Sequence, residues 1–88
     1  MTSLEKRIQK LRQQPHGVST DELERILFAL GFYFRKGKGS HRCYQHPDLP
    51  GFLLTLPYQR ALKKGYVTQA LRAIDRILEL RDDEQQIS

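Results

Sequence analysis

The sequence has very little cysteine and no long apolar run, and both scarcities limit what it can be. Its single cysteine, Cys43, cannot form an internal disulfide, so stability has to come from packing, as is usual in a reducing compartment. No stretch approaches the roughly 18 apolar residues of a membrane-spanning helix, and no apolar signal-peptide segment is present. We therefore expect a cytosolic location and no membrane partner.

The chain is also short, which limits the chemistry it can perform. With 88 residues it supports one domain, because a core of this size buries only about 60–65% of the surface that the unfolded chain exposes. A large catalytic cleft is not expected. Any reaction should need few residues and act on a substrate larger than the protein.

Acidic residues are nearly absent from the middle of the chain. Between Gly31 and Arg72 there are eight lysines and arginines but a single acid, Asp48. In the remainder, acids slightly outnumber bases. A positive field concentrated in this way attracts polyanions, and nucleic acid is the first candidate.

Hydrophobic periodicity predicts two helices, three short strands and a last helix. Ser19 and Glu22 have the spacing of a capping box that opens the second helix, and Gly31 ends its apolar stripe. The first helix is expected over about residues 3–13, the strands within 32–36, 41–46 and 52–57, and the last helix from about Val67 to Leu80 or Arg81.

Three strands joined by short loops predict an antiparallel meander with helices on one face. The fold class is therefore α+β, in the order α-α-β-β-β-α. We divide the chain into an N-terminal helix and linker (1–17), a main domain (18–81) and an acidic tail (82–88) that should be frayed. The N-terminal helix either caps the fold or builds an interface, and the sequence does not choose between the two.

His41 is the first candidate for chemistry, within the stretch RKGKGSHRCYQHP. A neutral imidazole near pH 7 can both accept and donate a proton, and the neighbouring cations would favour a phosphate beside it. The alternative is a histidine at the surface or sheet edge with no chemical task. Gly37 and Gly39 either let backbone amides approach a phosphate or simply form a hairpin turn.

Two basic loops should flank the same end of the sheet. The first hairpin supplies Arg35, Lys36, Lys38 and Arg42, and the segment before the last helix supplies Arg60, Lys63 and Lys64. Tyr33, Tyr44 and Tyr58 are interleaved with them, and they are either rings on which bases stack or ordinary half-buried sheet residues.

Neither a metal nor a nucleotide cofactor is predicted. His41, Cys43 and His46 match no common zinc spacing, and alternation along a strand turns His46 away from the other two. Cys43 is expected to be a small core residue rather than a reactive thiol. If Cys43 faced the helices, His41 would be exposed only at the very start of its strand, and the sequence does not settle this point.

These motifs together resemble the HicA toxin family, small mRNA interferases of prokaryotic toxin–antitoxin pairs with a fold like the double-stranded-RNA-binding domain. The resemblance covers about residues 18–80, and the N-terminal helix looks like an addition found in one branch. It rests on LGF (30–32), KGSHRCYQHPD (38–48), LTLP (54–57) and ALKKGYVTQALRAI (61–74).

The resemblance implies that His41 is the catalytic histidine and that Gly39 and Ser40 present it. Family members usually have a second histidine where this chain has Arg42, so a role of that imidazole in substrate binding is not carried over. It also implies a HicB-like antitoxin as partner and mRNA as substrate. The expected RNA contacts are Lys36, Lys38, Gly39, Ser40, Arg42, Lys63 and Lys64.

A metal-independent mechanism fits a domain with one histidine. RNA carries its own nucleophile, the 2′-hydroxyl, so the protein need only position the phosphate, move a proton and stabilise charge. We expect His41 to act as the general acid or base. Two other functions stay open: a non-catalytic RNA-binding domain, and a protein-interaction module whose basic face binds an acidic partner.

Overall fold

The computed structural model describes residues 2–35, 37 and 39–87, with side chains up to residue 82. The described elements confirm the predicted α+β class and order. They are α1 (Ser3–Gln13), α2 (Thr20–Ala29), β1 (Tyr33–Arg35), β2 (His41–Gln45), β3 (Leu54–Pro57) and α3 (Lys64–Ile87). None of these helices combines the length and the apolar content needed to cross a bilayer.

The three strands form one antiparallel sheet in the order β1-β2-β3, with β2 in the centre. On β2, Tyr44 lies opposite Phe34 of β1 and Leu54 of β3. Tyr44 is fully buried, as is Leu56 of β3. The face that carries these residues is therefore the one covered by the helices.

On the opposite face of the sheet, the described residues of β1 and β2 are exposed or half-buried. Because successive side chains of a strand alternate between faces, the residues that flank Tyr44 and Arg42 must point to this side. We call this surface the open face; its exposed and half-buried members are Tyr33, Arg35, His41, Cys43, Gln45 and Thr55. His41 is exposed on the open face because it points away from the helices along with Cys43. Its exposure therefore does not depend on its position at the start of β2.

The expectation that Cys43 is a core residue was wrong. Cys43 lies half-buried on the open face, with its Sγ 3.6 Å from Oγ1 of Thr55. The neighbouring Tyr44 takes the covered face instead. The physical reason is that an aromatic ring removes far more apolar surface from water than a thiol does.

Helix α1 caps the fold. Thr2 and Glu5 form a reciprocal capping box at its start, with bonds of 3.1 and 3.2 Å between each side chain and the other residue's amide. Ile8 and Leu11 are buried in the common core. Arg12 forms an ion pair of 2.6 Å with Asp75 of α3. The N-terminal helix therefore packs on the side of the domain that α2 and α3 form.

Helix α2 begins and ends where its signals predict, with one of the two hydrogen bonds of the expected capping box among the described contacts. Ser19 is the N-cap, and its hydroxyl accepts a 3.1 Å bond from the amide of Glu22. Leu23 and Leu27 have no exposed surface, and Gly31 ends the helix with a φ of 95°. A positive φ of this size favours glycine because it lacks a Cβ.

Helix α3 is longer than predicted at both ends. It begins at Lys64, inside the segment expected to be a loop, and continues to Ile87, through most of the tail expected to be frayed. The carbonyl of Lys63 accepts bonds from the amides of Tyr66 and Val67. No glycine or proline follows Gly65, so nothing in the sequence interrupts the helix once it has begun.

Candidate nucleic-acid interface

His41 lies at the first position of β2, where the strand pair is well anchored. Its register partner on β3 is Pro57. The pairing continues one residue further, because the amide of Tyr58 donates a 2.8 Å bond to the carbonyl of Ser40. The backbone on either side of His41 is therefore fixed, while its imidazole is exposed on the open face.

The turn before His41 depends on its two glycines for different reasons. A Cβ on Gly37 would overlap the carbonyl oxygen of His41, so this position brings two backbone segments into direct contact. Gly39 has a φ of 64° with no atom near its Cβ position, and Ser40 beside it is exposed. Packing accounts for Gly37 and turn geometry for Gly39. Of the predicted RNA contacts, Lys36 and Lys38 lie outside the described residues.

The second basic loop is held at the same end of the sheet by the start of α2. The buried hydroxyl of Thr20 donates to the carbonyl of Pro57 at 2.7 Å and accepts from the amide of Gln59 at 2.9 Å. The amide of Leu62 donates to the carbonyl of Val18 at 2.7 Å. Exposed Lys63 and Lys64 follow directly in the sequence.

Arg42 does not point toward His41. It lies on the covered side of the sheet, where its guanidinium donates to both carboxylate oxygens of Glu24 at 3.1 Å. Asp21 is 3.7 Å away, and the ring of Tyr58 lies under the guanidinium at 4.2 Å from its centroid. The contacts of Arg42 are therefore structural, and its predicted contact with RNA stays a prediction.

Arg42 belongs to a polar cluster that links α2 to the sheet, which we call the Glu24 cluster: Asp21, Glu24, Arg42, Tyr44 and Tyr58. The hydroxyl of Tyr44 donates to Glu24 at 2.8 Å, and that of Tyr58 donates to Asp21 at 2.9 Å. Sequence reasoning missed this cluster. The sequence pattern that could have indicated the cluster is the pair of acids Asp21 and Glu24, which lie one turn apart on the polar edge of α2.

The Glu24 cluster shifts the titration of its members. Burial, and then the hydrogen bond to Glu24, raise the pKa of Tyr44 well above its ordinary value. The bond to Asp21 raises the pKa of Tyr58. Burial alone would lower the pKa of Arg42, but Glu24 and the Tyr44 hydroxyl outweigh it, and the pKa is raised. A raised pKa favours the neutral form of each tyrosine and the charged form of Arg42.

His46 has a structural role. Its side chain is 6% exposed and packs edge-on against Phe32 at 4.8 Å between ring centroids. Nε2 donates to the carbonyl of Leu30 at 2.8 Å, and Nδ1 accepts from the amide of Asp48 at 3.0 Å. These two partners select one neutral tautomer, because a carbonyl only accepts and an amide only donates. His46 thereby ties the end of β2 to the end of α2.

The open face is a surface rather than a cavity. A cleft of about 420 Å³ lies elsewhere, between α1 and α2, and is lined in part by Arg7, Lys10 and Arg25. His41 is not among its lining residues. Within the described part of the chain, no group of three or more His, Cys, Asp or Glu residues is placed to hold a metal ion.

The comparisons with known proteins bear on this surface. A family model described as the HicA toxin of bacterial toxin–antitoxin systems matches residues 20–75, which include the sheet, both basic loops and α2. This confirms the resemblance stated from the motifs. No curated protein and no solved structure matches the chain significantly. Helix α1 lies outside the matched residues.

Replacing Tyr44 by Phe should make the alkaline loss of stability shallower. The folded state holds the Tyr44 proton above pH 10, where an unfolded tyrosine loses it. The contribution of this group to stability is therefore constant below about pH 10 and is lost above it, by up to about 1.4 kcal/mol per pH unit. Urea denaturation of both proteins at several pH values measures this slope.

The same variant should be less stable at neutral pH by about 1 kcal/mol, because the bond to Glu24 is lost. Some alkaline slope should remain, since the pKa of Tyr58 is also raised. Identical slopes in the wild type and in Tyr44→Phe would contradict the assignment of the shift to Tyr44.

Proposed function

The chain belongs to the HicA toxin family of bacterial toxin–antitoxin systems, and from this premise we propose that it is an endoribonuclease that cuts mRNA without a metal ion. The observation that carries the proposal is the position of His41. It is an exposed imidazole on the open face, and the amide of Tyr58, in the segment that leads to Lys63 and Lys64, bonds to the carbonyl of Ser40 next to it. A polyanion that contacts this end of the sheet would bring its phosphates to the histidine.

The proposed reaction uses the nucleophile that RNA already contains. The 2′-oxygen attacks the adjacent phosphorus, and the bond from phosphorus to the 5′-oxygen breaks. His41 removes the proton of the 2′-hydroxyl, and the departing 5′-oxygen gains a proton from water. The products are a 2′,3′-cyclic phosphate and a 5′-hydroxyl. General acid–base catalysis of this kind is typically worth about 10²–10⁴-fold in rate.

The remaining predicted site residues are proposed to bind RNA rather than to take part in proton transfer. Lys63 and Lys64 are exposed at the start of α3 and would hold phosphates that flank the cut. Gly39 and Ser40 form the turn that presents His41, and Lys36 and Lys38 flank that turn in sequence. Arg42 is one-third exposed, and any contact with RNA would be made by the edge of a guanidinium already bound to Glu24.

A HicB-like antitoxin is the proposed protein partner, and we infer that it covers the open face. Its test is a chemical footprint. Diethyl pyrocarbonate should modify exposed His41 in the free toxin, and the cognate antitoxin should protect it, as measured by mass spectrometry. Exposed His16, in the linker after α1, is the internal control and should react in both states. Equal modification of His41 in both states would place the antitoxin elsewhere.

Replacing His41 by Ala should reduce RNA cleavage by about 10²-fold or more, because the only proposed proton-transfer group is removed. The measurement is cleavage of a mixed-sequence RNA in EDTA, with end-group analysis of the products. The matched control is His16→Ala, which removes an exposed histidine distant in sequence and should cleave at the wild-type rate.

Several outcomes would contradict the proposal. Products with a 3′-hydroxyl and a 5′-phosphate would exclude attack by the 2′-hydroxyl. Equal behaviour of the wild type and His41→Ala, whether both cut or neither does, would remove the catalytic role of His41. If neither protein cuts, salt-dependent RNA binding that survives the substitution would favour a non-catalytic RNA-binding domain.

Replacing Lys64 by Ala should weaken binding of single-stranded RNA and flatten its salt dependence. Each phosphate contact contributes about 0.7 to the slope of log K against log salt concentration. The measurement uses fluorescence anisotropy at several salt concentrations, on a His41→Ala background so that the RNA stays intact. Lys6→Ala removes an exposed cation from α1 and should leave the slope unchanged. A slope unchanged in Lys64→Ala would exclude this contact.

A further inference from the structure

The open face continues beyond His41, and its far end carries an exposed aromatic ring. Tyr33 of β1 is 47% exposed and lies directly opposite Gln45 of β2. Its hydroxyl donates a 3.2 Å bond to Oε1 of Gln45. The bond orients the amide, because with Oε1 turned to the tyrosine the two N–H donors of Nε2 point elsewhere.

Packing within the domain does not account for the exposure of Tyr33. The next residue, Phe34, is similarly exposed at 50%, but it lies on the covered side and meets the ring of Tyr44 edge-on at 6.1 Å. Phe34 therefore has an aromatic neighbour inside the fold. Among the described residues, Tyr33 makes its polar contact only with Gln45, on the open face.

The spacing along β2 places this pair at a useful distance from His41. Alternate residues of a strand lie about 6.6 Å apart, so Gln45 is about 13 Å from His41 along the same face. Arg35 lies between the two positions, opposite Cys43. In the part of the chain that the structure describes, Arg35 takes part in no ion pair. Its charge is available to a phosphate.

We propose that Tyr33 and Gln45 form a base-binding subsite for single-stranded RNA on the same face as His41. An unpaired base stacks on the ring of Tyr33, and the amide of Gln45 donates to an acceptor on the edge of that base. Arg35 holds a phosphate between this base and the cleaved bond. The inference rests on the proposed function in that RNA is the ligand, but it does not require cleavage.

The first test is binding of short single-stranded RNA to proteins that also carry His41→Ala. Tyr33→Ala should weaken binding by roughly 5- to 150-fold, which corresponds to the loss of one base–aromatic stack. Tyr33→Phe keeps the ring and should retain most of the affinity. Phe34→Ala is the matched control, because it removes an equally exposed ring from the other face of β1. Far-ultraviolet circular dichroism verifies folding of each variant.

The second test locates the base. An abasic nucleotide is placed at each position of the RNA in turn, and affinity is measured with Tyr33 and with Tyr33→Ala. At one position of the RNA, loss of the base should weaken binding to the protein that retains Tyr33 and should hardly change binding to the Tyr33→Ala variant. Such a non-additive pair identifies a direct contact. Equal affinities of Tyr33→Ala and Phe34→Ala, or additive effects at every position, would overturn the subsite.

Cleavage kinetics with His41 intact separate the two proposals. Tyr33→Ala should raise KM and leave kcat nearly unchanged, because stacking acts on binding rather than on the reacting bond. If the wild type binds RNA through Tyr33 but does not cut it, the subsite stands and the proposed nuclease fails. If the wild type cuts RNA with no dependence on Tyr33, the nuclease stands and the subsite fails.

Discussion

The burial of Tyr44 is the constraint on which the rest of the site depends. Its ring has no exposed surface, and its hydroxyl bonds to Glu24 of α2 at 2.8 Å. Because side chains alternate along β2, the burial of Tyr44 directs His41, Cys43 and Gln45 to the opposite face. A register shift of one residue would bury the histidine and expose the tyrosine. The position of the candidate catalytic group is thus a consequence of core packing.

Helix α2 organises both sides of the proposed site. Through the Glu24 cluster it holds the start of β2, and through Thr20 it holds the loop that follows β3. A single helical turn therefore positions the strand of His41 and the loop that leads to Lys63 and Lys64. Most of these links are made by buried or half-buried polar groups with complete hydrogen bonding, which makes their loss costly.

Local patterns predicted most of the fold correctly. Apolar spacing located α1, apolar spacing and a capping signal located α2, and the change to a period of two located the strands. What the local patterns missed has two causes. The length of α3 is a local property, because nothing in the sequence interrupts the helix, whereas the half-buried position of Cys43 and the ion pair of Arg42 depend on contacts between residues far apart in the chain. No window of sequence contains the information that Glu24 lies beside Arg42.

The sequence by itself determined the α+β class and the basic middle of the chain, and it singled out His41 as the candidate for chemistry, since these follow from composition, periodicity and one motif. Tertiary structure alone decided which face of β2 the helices cover. It therefore decided that His41 lies with Arg35, Tyr33 and Gln45 on the open face and that Arg42 lies on the covered one. The physical reason is that alternation sets two faces for every strand, and only the packing of distant helices chooses between them.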